Sequence, residues 1–176
     1  WVGGGAGKDT IVWDPNGTFG NWGGSGTDTL KINGSGISLD LTLINDFDII
    51  SFETIDIKGW GNNTLSLQAS DVMMMSDTEI LTIKGNAGDA IVTPNEGWSQ
   101  GSNTTISGET YNTWTKSDAT MYVDADITQT GINSTSFTAS TAKASGTSLR
   151  DGTDGADTWT ESVAGSTGND TLTITS

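Results

Sequence analysis

Three short stretches share one pattern, and their spacing limits what this chain can fold into. Lys31-Ile32-Asn33-Gly34, Asp56-Ile57-Lys58-Gly59 and Thr82-Ile83-Lys84-Gly85 each carry an apolar residue two places before the isoleucine: Leu30, Ile55 and Leu81. A second alternating run follows each glycine: Ile37-Ser38-Leu39-Asp40-Leu41, Leu65-Ser66-Leu67 and Ala90-Ile91-Val92. The glycines stand 25 and then 26 residues apart. A period of that length marks a repeated supersecondary unit that cannot bury its apolar face alone, so successive units must stack. The pattern predicts an all-β fold of parallel β-solenoid or β-roll-like coils. Abundant Ser, Thr, Asn and Asp with 24 glycines suit short strands and tight turns, and argue against a helical bundle.

Charge narrows the function classes. Twenty-two acidic residues face seven basic ones, for a net charge of −15, with no histidine and Arg150 as the one arginine. No basic patch or phosphate clamp can be assembled, so neither a nucleic acid nor an anionic membrane is expected as a partner. Unneutralised charge of this size opposes compaction, and a hard divalent cation such as Ca²⁺, which takes carboxylate and carbonyl oxygens, relieves it. The absence of cysteine rules out disulfides and thiolate metal sites, which leaves calcium as the expected source of stiffness outside the cell. These residues show no signal-peptide pattern and no apolar run long enough to span a bilayer. The start at Trp1-Val2-Gly3 reads as a piece of a longer chain.

Two segments give the calcium expectation a location. Gly4-Gly5-Ala6-Gly7-Lys8-Asp9-Thr10-Ile11-Val12 and Gly23-Gly24-Ser25-Gly26-Thr27-Asp28-Thr29-Leu30-Lys31 both fit Gly-Gly-x-Gly-x-Asp-x-apolar-x, the calcium-binding nonapeptide of parallel β-rolls. The glycines permit a turn whose carbonyls and Asp carboxylate point at an ion, and the next strand sends an apolar residue inward. The metal ligands expected are Asp9 and Asp28, with carbonyls around Gly4, Gly7, Gly23 and Gly26. Near the other end, Gly152-Thr153-Asp154-Gly155-Ala156-Asp157-Thr158-Trp159-Thr160 and Gly165-Ser166-Thr167-Gly168-Asn169-Asp170-Thr171-Leu172-Thr173 keep the first Gly, the fourth Gly and the Asp but lack the second Gly. Asp157 and Asp170 are the second pair of candidates, with Asp151 and Asp154 as helpers. Asn63 takes the Asp place in a turn expected to be metal-free, and Asp89, directly after Gly88, stands out of register.

The run from Gly4 to about Ile127 resembles a domain of giant RTX (repeats-in-toxin) adhesins of Gram-negative bacteria. The resemblance is carried by the first nonapeptide, Phe52-Glu53-Thr54-Ile55-Asp56-Ile57, Asn63-Thr64-Leu65-Ser66-Leu67, Ala69-Ser70-Asp71-Val72, Gly85-Asn86-Ala87-Gly88-Asp89, Gly97-Trp98, Tyr111-Asn112-Thr113-Trp114-Thr115 and Ala119-Thr120-Met121-Tyr122-Val123-Asp124. It implies type I secretion, an extracellular location at the cell surface, a role in adhesion and biofilm formation, and neighbouring domains of the same adhesin as partners. Adhesins of this type carry ligand-binding modules inserted within such scaffolds.

The rest of the chain fits around the coils. Residues 70–77 interrupt the strand pattern, with Ser70 expected to cap one helical turn and Val72, Met73 or Met75 to cover the end of the core. Thr104–Ile106, Thr110–Trp114 and Thr120–Asp124 alternate with strand period around Ser107-Gly108 and Lys116-Ser117-Asp118 turns, predicting an antiparallel hairpin cap. The expected domains are a coil domain with its cap over 1–127, a Ser/Thr-rich connector over 128–150 where a ligand module would be inserted, and a calcium-binding segment over 151–176. Ile132 and Phe137 are the connector's core candidates.

Without His or Cys the usual nucleophile triads and zinc sites cannot be built, and no enzyme activity is expected. The alternative to a scaffold is that the domain itself binds a surface glycan or peptide, with Trp60, Trp98 and Trp114 as stacking rings.

Overall fold

The computed structural model describes residues 1–14, 16, 20–45 and 47–132. Asp151, Asp154, Asp157 and Asp170, residues 133–150 of the connector and the whole 151–176 segment lie outside the described residues. In chain order the elements are β1 (Val2–Gly7), β2 (Thr10–Val12), β3 (Asn21–Gly26), β4 (Thr29–Lys31), β5 (Ser38–Asp40), a 3₁₀ turn (Leu41–Leu43), β6 (Ile49–Ile50), β7 (Thr54–Asp56), β8 (Thr64–Ser66), α1 (Ala69–Met75), β9 (Ile80–Lys84), β10 (Ala90–Val92), β11 (Ser99–Gln100), β12 (Thr104–Ile106), β13 (Glu109–Lys116), β14 (Ala119–Asp124) and β15 (Thr128–Thr130). Among the described residues the fold is mostly β, as expected, with one short α helix.

Among the described residues strands pair across long stretches of chain, in three sheets. One runs β1-β3-β6, a second β15-β10-β8-β5, and the largest β11-β13-β14-β9-β7-β4-β2, with β12 also on β13. The first two are parallel throughout, whereas the third is mixed: parallel from β2 to β14, antiparallel beyond. Parallel registers put like residues in line. Ile11, Leu30, Ile55, Ile83 and Val123 form one column, and Leu39, Leu65 and Ile91 another. Apart from Ile11 these are fully buried in one hydrophobic cluster that also holds Ile32, Ile57, Leu67 and Leu81. Each such aliphatic side chain gains about 1.5–3 kcal/mol from burial, and strands of three residues persist because the columns hold them.

The third repeat is offset from the expected alignment. Ile55 pairs with Ile83, not with Leu81, and the Ile57 N–H donates to the Lys84 carbonyl, so Gly85 stands opposite Ile57. A slip of two residues keeps every side chain on its own face, so apolar alternation cannot detect it. Gly85 fits there because a Cβ would run into the Ile127 side chain.

Helix α1 covers one end of the core with Val72 and Met75, leaving Met73 and Met74 partly exposed. Its N-cap is Gln68, not Ser70: the Asp71 carboxylate accepts the Gln68 N–H at 2.9 Å and holds the first turn. The expected hairpin is present, with β12 and β14 antiparallel to β13, and β14 is also the parallel neighbour of β9. Ordered structure continues past 127, since β15 pairs with β10 and Ile132 is buried in the core.

Candidate metal site

Two columns of side-chain oxygens run beside the apolar columns. In the first, the Asp9 N–H donates to Asp28 Oδ1 at 2.8 Å and the Asp28 N–H to Glu53 Oε2 at 2.7 Å. In the second, the Ile37 N–H donates to Asn63 Oδ1 at 2.9 Å and the Asn63 N–H to Asp89 Oδ1 at 2.8 Å. Each acceptor sits one residue ahead of a ladder strand and receives the backbone donor of its counterpart ahead of the adjacent strand. The peptide groups at the corners, where no strand partner exists, are satisfied this way.

The columns differ in what they leave over. Asp89 is fully buried, and its second oxygen accepts the Asn86 N–H at 2.8 Å. Asn63 is 1% exposed and its amide donates to the Ile57 and Gly34 carbonyls at 3.1 and 3.3 Å. In the first column, by contrast, Asp9 Oδ2 and Asp28 Oδ2 are buried with no hydrogen-bond partner, and Asp28 as a whole is fully buried. A buried carboxylate oxygen without a donor is costly unless a cation or other donor meets it.

The glycine runs lie against these carboxylates. A Cβ on Gly4 would come within 2.7 Å of Asp9 Cβ, and one on Gly23 within 2.7 Å of Asp28 Cβ. The runs are not loops, as the nonapeptide reading expected. They pair in parallel, Gly3 opposite Trp22 and Gly5, Ala6 and Gly7 opposite Gly24, Ser25 and Gly26. The corners fall at Lys8-Asp9 and Thr27-Asp28. Gly24 and Gly26 have φ of 111° and 134°, and a Cβ on either would overlap the carbonyl oxygen of the glycine beneath it. Only glycine permits both that φ and that approach.

The residues present therefore suit a hard cation: two carboxylate oxygens lacking donors beside stacked backbone carbonyls. Among the described residues no three acidic side chains converge as a ready-made chelate, so backbone oxygens are needed to complete a coordination shell.

Asn63 and Asp89, assigned no ligand role from sequence, are in register with each other, Thr64 pairing with Ala90. Glu53 was missed because its surroundings lack glycines. The signal common to Asp9, Asp28, Glu53, Asn63 and Asp89 is a side-chain acceptor directly before a Thr or Ala that opens a short apolar strand.

The three candidate stacking rings separate. Trp98 and Trp114 are buried at 3% and 4% exposure, and the Trp114 indole donates to Gln129 Oε1 at 2.8 Å, tying β13 to β15. The thin core recruits both as filler, so neither offers a face to a sugar. Trp60 is 81% exposed.

No helix among the described residues is long and apolar enough to cross a membrane. Comparisons with protein-family models, curated proteins and solved structures returned no match.

Proposed function

We propose that this chain is a non-enzymatic, calcium-stabilised β-solenoid domain of a large secreted bacterial adhesin, one that stiffens and spaces the fibre and presents adjoining ligand-binding modules. The observation that carries this reading is the pair of buried, donor-less oxygens, Asp9 Oδ2 and Asp28 Oδ2, beside two stacked glycine runs. Asp9 and Asp28 would hold Ca²⁺ together with carbonyls of the Gly4–Gly7 and Gly23–Gly26 runs. The ion would supply positive charge where the fold has packed negative charge without a donor. A chain of net charge −15 would cross the envelope unfolded where calcium is scarce and fold outside, where ion binding becomes folding free energy.

The test is thermal melting of the full chain in millimolar Ca²⁺ and in excess EDTA. A site filled to a hundred times its Kd adds about 2.7 kcal/mol, so the midpoint should fall clearly in EDTA. In Asp28→Asn, which keeps the Oδ1 acceptor, that difference should shrink. A midpoint indifferent to EDTA would remove calcium from the account.

A second reading has one observation in its favour, the exposure of Trp60. As a platform for a sugar ring it would make the domain itself a glycan- or peptide-binding adhesion module. Saturable glycan binding lost in Trp60→Ala without a change in melting would favour it.

A further inference from the structure

Among the described residues, β1 and β2 are both edge strands, each hydrogen-bonded on one side only. They belong to the same coil, so two sheets end together. Hydrogen bonding within the parallel ladder shows which groups of β2 face outward. The Thr29 N–H donates to the Asp9 carbonyl and the Trp13 N–H to the Lys31 carbonyl, so Asp9, Ile11 and Trp13 serve β4. The alternate residues, Thr10 and Val12, direct their N–H and C=O away from it. Val12 is 53% exposed and Val2, on β1, 49%. The opposite end of the large sheet differs, since β14 is covered there by antiparallel β13.

The acceptor column ends at this edge as well. Asp28 takes the Asp9 N–H and Glu53 takes the Asp28 N–H. Next in the series is the Asp9 carboxylate, whose Oδ1 corresponds to the Asp28 oxygen that accepts the Asp9 N–H. By the rule the other corners follow, it is placed to accept the N–H of an acidic or amide residue that precedes an incoming strand.

We propose that the β1–β2 edge is a strand-accepting interface for a Gly-x-Asp-Thr-apolar coil of an adjoining domain, added in parallel, with Asp9 fixing its register. The incoming Asp N–H meets the Asp9 carboxylate, and its carbonyl meets the Thr10 N–H, as the Asp9 carbonyl meets Thr29. Edge-to-edge pairing with a second copy of the chain does not suit. Joining two such edges would set Asp9 against Asp9, with no N–H for either, in partners that each carry −15. The inference rests on the stacked-coil part of the proposed function and not on calcium, because the Asn63 carboxamide performs the same acceptor role without charge.

The probe is a synthetic peptide copying residues 20–33, the run that already pairs with β1 and β2 on their inner side. Residue-resolved amide exchange is followed on the full chain with and without saturating peptide. The Thr10 and Val12 amides should slow about tenfold or more in the wild type and in Asp9→Asn, but not in Asp9→Ala. Val12→Pro removes an outward N–H that β4 does not use, so it should abolish the slowing at Thr10 while leaving the melting midpoint near that of the wild type; it decides the matter if Asp9→Ala does not fold. The proposal is overturned by unchanged exchange at saturating peptide, by slowing that survives Asp9→Ala, or by light scattering that shows a dimer already protecting Thr10 and Val12. A melting midpoint indifferent to EDTA would sink the calcium reading and leave this one standing.

Discussion

Asn63→Ala isolates the acceptor columns from any metal, because nothing at that corner lacks a partner. The substitution strands the Ile37 N–H, which Asn63 satisfies at 2.9 Å from a position 1% exposed, and takes one of two donors from the Ile57 and Gly34 carbonyls, which keep the Gly59 and Trp60 N–H at 2.7 Å. Each fully buried orphan costs about 1–3 kcal/mol. The Ile37 bond is partly buried, so water recovers part of its loss. The loss is about 2 kcal/mol, or roughly 5 °C in Tm for a unit of this size. Asn63→Asp should be at least as damaging at neutral pH. It keeps the acceptor for Ile37 but turns an oxygen towards two carbonyls and adds a buried charge next to Asp89, whose carboxylate already accepts the Asn63 N–H. Asn33→Ala, at an exposed position, is the control and should change little. Calorimetry with urea titration at constant m-value measures all three. A loss below about 1 kcal/mol for Asn63→Ala, or wild-type stability for Asn63→Asp, would show that the corner bonds do not hold the paired strands together.

Three further outcomes follow from the same geometry. Gly24→Ala should destabilise by well over the roughly 1–2 kcal/mol that positive φ alone costs, because its Cβ overlaps the Gly5 carbonyl; Gly5→Ala, with φ 104° and open space around it, should cost only the conformational part. The Tyr111 phenol is held above its ordinary value by burial first and then by the charges of Asp124, Glu109 and Asp56. The folded state therefore keeps that proton more tightly than the unfolded chain, so this contribution is complete below about pH 10 and is lost as pH rises through the folded value; the ultraviolet titration difference between wild type and Tyr111→Phe should show it, and half-titration at or below about 10 would contradict the burial. Leu65→Ala, in the middle of its column, should cost about 2–5 kcal/mol, read by chemical denaturation, and a loss under 1 kcal/mol would mean that the columns are not the core.

The alternation Leu30-x-Ile32, Ile55-x-Ile57 and Leu65-x-Leu67 makes the strands and their inward faces legible from sequence, since side-chain direction in a strand depends only on position along it. The glycine nonapeptides likewise announce their acidic corners, because that φ and that approach exclude every other residue. Register is a property of two segments at once, and a two-residue shift costs alternation nothing, so only the folded chain could set Ile83 rather than Leu81 beside Ile55. The same holds for Glu53 and Asp89, whose task is defined by the backbone N–H of a residue 25 or 26 positions away. It holds too for Trp98 and Trp114, since whether a ring packs inward or meets solvent depends on which segment covers it.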